Sequence, residues 1–160
     1  MSLATKTTTA LDMPSAPEPI GNFRNIMQVG NLLYVSGQGP VDRSGLLQTG
    51  KVGRDVGPEK AYQDARLTGL TILSVLSSYL GDLSRVKQFV KLLGFVNATE
   101  DFADHPRVIN GCSDLLVEVL GERGRHARSA IGVTSLPNNI TVEVEAIVEI
   151  YPEGSHHGRP

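Results

Sequence analysis

The sequence predicts an α+β fold in which one mixed sheet carries two helices on one face. Three observations lead there. Stretches with the two-residue alternation of strands occur early and late in the chain, two longer stretches repeat apolar residues at helical spacing, and neither an internal repeat nor a low-complexity segment interrupts them. The expected order is ββ(β)αβαββ.

Between Ile26 and Ser36 the runs IMQV and LLYVS flank Gly30-Asn31, a dipeptide suited to a two-residue hairpin turn. A second turn signal, Asp42-Arg43-Ser44-Gly45, follows SGQGP, and LLQTGKV is expected to form a short strand. Pro58 suits the first position of a helix and Glu59 complements its N-terminal dipole. Ala61, Ala65, Ile72, Leu76 and Leu80 then recur at helical spacing until Gly81. VKQFVKLLGFV, residues 86–96, is rich in β-branched and aromatic residues and reads as a strand, with Gly94 marking a bulge or a close approach.

From about Asp104 to Leu120 a second stripe of Val108, Cys112, Leu115, Leu116 and Val119 predicts a second helix, with His105 at its start on the surface and Cys112 as a buried small hydrophobe. Residues 127–133 (ARSAIGV) and 141–151 (TVEVEAIVEIY) complete the sheet, joined by a loop holding Pro137-Asn138-Asn139.

Residues 1–19 read as a flexible lead-in, 20–151 as one domain and 152–160 as a tail whose His156 and His157 receive no role. The 160 residues, 40% hydrophobic, suffice for a single core. Fifteen basic against 17 acidic residues give a net charge of -2, which makes a nucleic-acid partner an unlikely expectation. One cysteine fits a reducing, cytoplasmic setting without disulfides or a Cys-rich metal site. No apolar run approaches the roughly 20 residues of a membrane span, so no membrane partner is expected.

In the last strand Val142, Val144, Ala146, Val148 and Ile150 face one way, and Thr141, Glu143, Glu145, Ile147 and Glu149 the other. In the strand before it, alternation puts Arg128, Ala130 and Gly132 opposite Ser129, Ile131 and Val133. Alternation alone allows Arg128 and Glu143 to share the helix-free face. That face carries apolar members, and burial against another subunit is one solution for it.

LLYVSGQGP, VKLLGFVN, ARSAIGV and VEVEAIVEI, in this order from about Ile20 to Tyr151, resemble the Rid (YjgF) family of enamine/imine deaminases. Two departures suggest a divergent subgroup of the kind often labelled endoribonuclease L-PSP-like. The resemblance implies a chorismate mutase-like fold, a homotrimer with sites in the clefts between subunits, and hydrolysis of small 2-imino or enamine acids to a 2-keto acid and ammonia, with neither cofactor nor metal.

It implies that Arg128 holds the substrate carboxylate through its planar fork and that Glu143 positions water or shuttles a proton. Gly37, whose backbone would lie against substrate, Asn110, Ala130 and Phe23 are the implied substrate-binding positions. Ala130 stands where many relatives have Cys, and Phe23 stands where many have Tyr, which removes a hydroxyl. Two other readings remain open: a trimer that binds 2-keto or 2-imino acids without turnover, and an endoribonuclease.

Overall fold

The computed structural model describes residues 11–155. Strands β1 (Ile26–Val29) and β2 (Leu32–Gln38) form the expected hairpin, with Gly30 at φ 58° in the turn. Then come α1 (Pro58–Leu80), β3 (Val86–Asn97), α2 (His105–Leu120), β4 (Ala127–Val133) and β5 (Val142–Ile150). Pro58 opens α1 and Gly81, at φ 80°, ends it, as the sequence predicts.

The sheet order is β1-β2-β5-β3-β4. α2 carries the chain back over the sheet, so β4 pairs with β3 in parallel at one edge. β5 returns antiparallel to both β2 and β3 and fills the gap between them. Its central position explains why Val142, Val144, Ala146, Val148 and Ile150 are all buried, together with Phe89, Leu92 and Val96 of β3. Both helices cover that side and pack on each other. A side chain at Gly111 of α2 would run into the Tyr62 carbonyl of α1, so glycine permits the close approach. Gly94 is the close approach foreseen for β3, since a Cβ there would lie 2.7 Å from Ile109 of α2.

Three expectations need correction. LLQTGKV forms no strand but only isolated bridges, Val41 to Leu47, Thr49 to Ile140, and Val52 to both Val56 and Ala98, because Gly50 and Gly53 take positive φ and break the extended run. Thr141 lies before β5 and is fully buried, its hydroxyl donating to Asp64 Oδ2 of α1 at 2.8 Å. The part of the lead-in from residue 11 onward is docked, although it holds no helix or strand. Leu11, Met13 and Ala16 pack against the core, the Ser74 hydroxyl donates to the Pro14 carbonyl at 2.6 Å, and Asn25 Nδ2 donates to the Pro17 carbonyl at 2.7 Å. Residues 1–10, and the tail histidines His156 and His157, lie outside the described residues.

The helix-free face is apolar in patches. Met27, Tyr34 and Ile131 are exposed there, and Leu93, Phe95 and Ile147 are half-buried. Met27, Tyr34, Lys91, Leu93, Glu145 and Ile147 line an open depression of about 460 Å³.

Candidate functional site

The sheet register decides which of the expected residues can meet. Arg128 of β4 is in register with Leu92, and Leu92 with Ala146, both on the core side. Glu143 is in register with Phe95, and Phe95 with Ile131, on the other side. Arg128 and Glu143 of one chain therefore lie on opposite faces. The expectation that they share the helix-free face is wrong because alternation fixes parity within a strand, while the parallel crossover through α2 fixes it between strands. Ala130, paired with Gly94 and packed on the core, lies on the Arg128 side.

The expected residues instead form two groups. On the helix side, Arg128 Nη1 donates to Asn110 Oδ1 at 2.8 Å and to Ser113 Oγ at 3.1 Å, both on α2, while Nη2 makes a long 3.5 Å contact with the Pro106 carbonyl. Its partners are all neutral. Elsewhere between the two helices the arginines are ion-paired, Arg66 with Glu118 and Arg107 with Glu59, but among the described residues no carboxylate pairs with Arg128. A half-buried guanidinium held in place and left uncompensated has the chemistry to receive an anion.

On the helix-free face, Glu143 is half-buried against Gly37. A Cβ on Gly37 would lie 2.8 Å from the Glu143 carboxyl carbon, so the carboxyl lies directly on the glycine backbone. Gly37 lies where the pairing of β2 with β5 is irregular, between Val35 and Gln38, the kind of break that re-aims groups beside a site. Burial raises the Glu143 carboxyl above the usual range, and the neighbouring Glu145 adds to the rise. Phe23 is 49% exposed in the loop before β1. That loop is tied beside Gly37, since the Ser36 hydroxyl donates to the Arg24 carbonyl at 2.7 Å and the Ser36 amide to the Asn25 carbonyl at 2.9 Å.

Two polar residues that the sequence did not single out adjoin Arg128. Ser113 Oγ lies 2.9 Å from His126 Nε2, and His126 Nδ1 lies 2.7 Å from the Gly124 carbonyl. The one available signal was position, with His126 two residues before the arginine and Ser113 one helical turn after Asn110. Cys112 is buried with its thiol pushed up to about 12, as a structural cysteine should be. Among the described residues no three His, Cys, Asp or Glu side chains are grouped to hold a metal ion, and no helix is long and apolar enough to cross a membrane.

Comparison with known proteins agrees with this architecture. A protein from Agrobacterium tumefaciens, Atu1372, has a crystal structure that superposes with a TM-score of 0.82 at 47% identity, covering 87% of this chain and 86% of that one. Protein TCP17 of Trypanosoma cruzi is 41% identical over 88% of both chains. A 2-iminobutanoate/2-iminopropanoate deaminase of Dermatophagoides farinae is 30% identical over 88% of this chain and 94% of its own. Residues 4–152 match the family described as "YjgF/chorismate_mutase-like, putative endoribonuclease", and the chain belongs to that family.

Proposed function

We propose that the protein is a hydrolase of small 2-imino and enamine acids that needs no cofactor, releasing a 2-keto acid and ammonia. The observation that carries this reading is Arg128, an oriented guanidinium with no carboxylate partner among the described residues. Such a fork suits the carboxylate that every 2-imino acid bears. Relatives named as 2-iminobutanoate/2-iminopropanoate deaminases support the choice of substrate class.

Hydrolysis of an imine adds water oxygen to C2 and a proton to nitrogen. The C–N bond of the resulting aminoalcohol then breaks, and ammonia leaves as the hydroxyl loses its proton to give the ketone. Each step moves a proton. Burial raises the Glu143 carboxyl above its ordinary value, the direction that suits a group that takes up and returns a proton. Gly37, having no side chain, lets that carboxyl lie against its backbone, and this reading assigns Phe23 to the Glu143 side of the cleft and the Ala130 backbone to the Arg128 side.

The opposite-face placement of Arg128 and Glu143 means that one chain does not bring them together. In the homotrimer we propose, Arg128 of one copy and Glu143 of the next serve one cleft, and the apolar patches on the open face become subunit contacts. The test follows imine decay with Arg128→Ala, Glu143→Gln and a refolded mixture of the two. Each variant alone should lose activity, and the mixture should regain part of it. Full activity in either single variant contradicts the assignment.

A second reading is a trimer that binds 2-keto or 2-imino acids without turnover. Phe23 favours it, because it offers no hydroxyl to substrate or water. Tight 2-keto acid binding without imine hydrolysis would establish it.

A further inference from the structure

Arg128 sits at the end of a chain of neutral groups running from β4 through α2 to the short turn Gly121–Gly124. Nη1 commits its hydrogens to Asn110 Oδ1 and Ser113 Oγ, Ser113 Oγ meets His126 Nε2 at 2.9 Å, and His126 Nδ1 meets the Gly124 carbonyl at 2.7 Å. The ends of this chain fix its polarity. A carbonyl only accepts, so Nδ1 carries the ring proton. Burial keeps the imidazole below the ordinary histidine value, the hydrogen bond to Gly124 opposing and the Arg128 charge adding to the effect, so with the proton on Nδ1 the neutral ring presents Nε2 as a bare lone pair. The Ser113 hydroxyl must then donate to Nε2, which turns its own lone pairs toward Arg128. Without that acceptor a mid-helix serine would give its proton to a carbonyl one turn back along its own helix.

We infer that Ser113 and His126 are positioning residues for Arg128. The imidazole orients the serine hydroxyl, and the hydroxyl, with Asn110, locks the guanidinium so that its Nε–Nη2 edge meets an incoming carboxylate. The inference rests on the anchoring role proposed for Arg128 and adds the device that aims it. Neutrality matters to the device: a carboxylate at position 113 would hold the guanidinium equally well but cancel the charge the substrate needs, as Glu118 does for Arg66. Flexible arginine loses much rotamer freedom on binding, and a fork aimed in advance has less left to lose.

The test uses 2-oxobutanoate as the probe in calorimetric titrations of wild type, Ser113→Ala and Ser113→Thr, with nitrogen-15 NMR of the imidazoles. Only four histidines need assignment. Ser113→Ala should weaken binding by about fivefold to tenfold, the loss expected for one ordinary hydrogen bond when the group removed acts on the ligand only through Arg128, and Ser113→Thr should restore it. The wild-type His126 ring should show the Nδ1–H tautomer, with Nε2 moving to its free-acceptor position in Ser113→Ala. Addition of 2-oxobutanoate should shift that ring in wild type and leave it still in Ser113→Ala. Equal affinity in wild type and Ser113→Ala, or failure of threonine to rescue, overturns the relay while leaving the Arg128 anchor standing. A wild type that does not bind 2-oxobutanoate at all overturns the anchor itself, and the relay with it.

Discussion

Replacing Gly37 with alanine puts a methyl group where the Glu143 carboxyl now lies. The new Cβ would be 2.8 Å from both the carboxyl carbon and Oε2, and 3.0 Å from Cγ. Ordinary contact needs the carboxyl to retreat by about 0.6 Å. The backbone does not oppose the change, since Gly37 is absent from the residues with positive φ. Glu143 is only half-buried within one chain, so it can swing aside. The stability cost should stay near the lower end for overpacking, about 1 kcal/mol, or roughly 2–4 °C in Tm. Catalysis should suffer more, because displacing a proton-carrying group by a fraction of an ångström costs about tenfold or more in kcat/KM. Thermal melts give the first quantity. Initial rates on 2-imino acids generated by an amino acid oxidase give the second. Retention of kcat/KM within about twofold of wild type would refute the claim that Glu143 acts from its position over Gly37.

Three further outcomes follow from the same geometry. Burial raises the Glu143 carboxyl, so this group favours folding when protonated, and its contribution is lost as pH rises through its folded value. Glu143→Gln should therefore melt higher than wild type at pH 7, with the gap closing below about pH 4; an equal gap at both values contradicts the raised carboxyl. Ile131→Asp places a charge on the open face, where Ile131 is 44% exposed in one chain, and light scattering should show a smaller assembly than wild type; an unchanged mass excludes that patch as a subunit contact. Cys112, with its thiol pushed up to about 12, should stay unlabelled by thiol reagents at pH 8 until denaturant is added; fast labelling of the native protein contradicts its burial.

The elements were legible wherever local chemistry decides them. Pro58 and Gly81 bracket α1, Gly30-Asn31 makes the hairpin, and the alternation of residues 142–150 marks a strand buried on one side. Parity between strands was not legible. Nothing in ARSAIGV reveals that α2 returns it parallel to β3, and that single fact turns Arg128 toward the helices and away from Glu143. Residues 46–52 looked strand-like because their composition fits, yet Gly50 and Gly53 bend them into bridges. At the site, the motifs named Gly37, Glu143, Asn110 and Arg128 one by one, but the contacts of Gly37 with Glu143 and of Asn110 with Arg128 come from the fold. Ser113 and His126 were invisible because they meet only across the turn between α2 and β4, and neither belongs to a motif.

The central claim is that Arg128 anchors the carboxylate of a 2-imino acid for hydrolysis. Its most direct test is the decay rate of 2-iminobutanoate, formed in place by an amino acid oxidase, with wild type, with Arg128→Ala and with no added protein. Faster decay with wild type, abolished by the substitution in a variant that still folds, is the predicted result. Decay no faster than without protein, or acceleration that survives loss of the guanidinium, would contradict it.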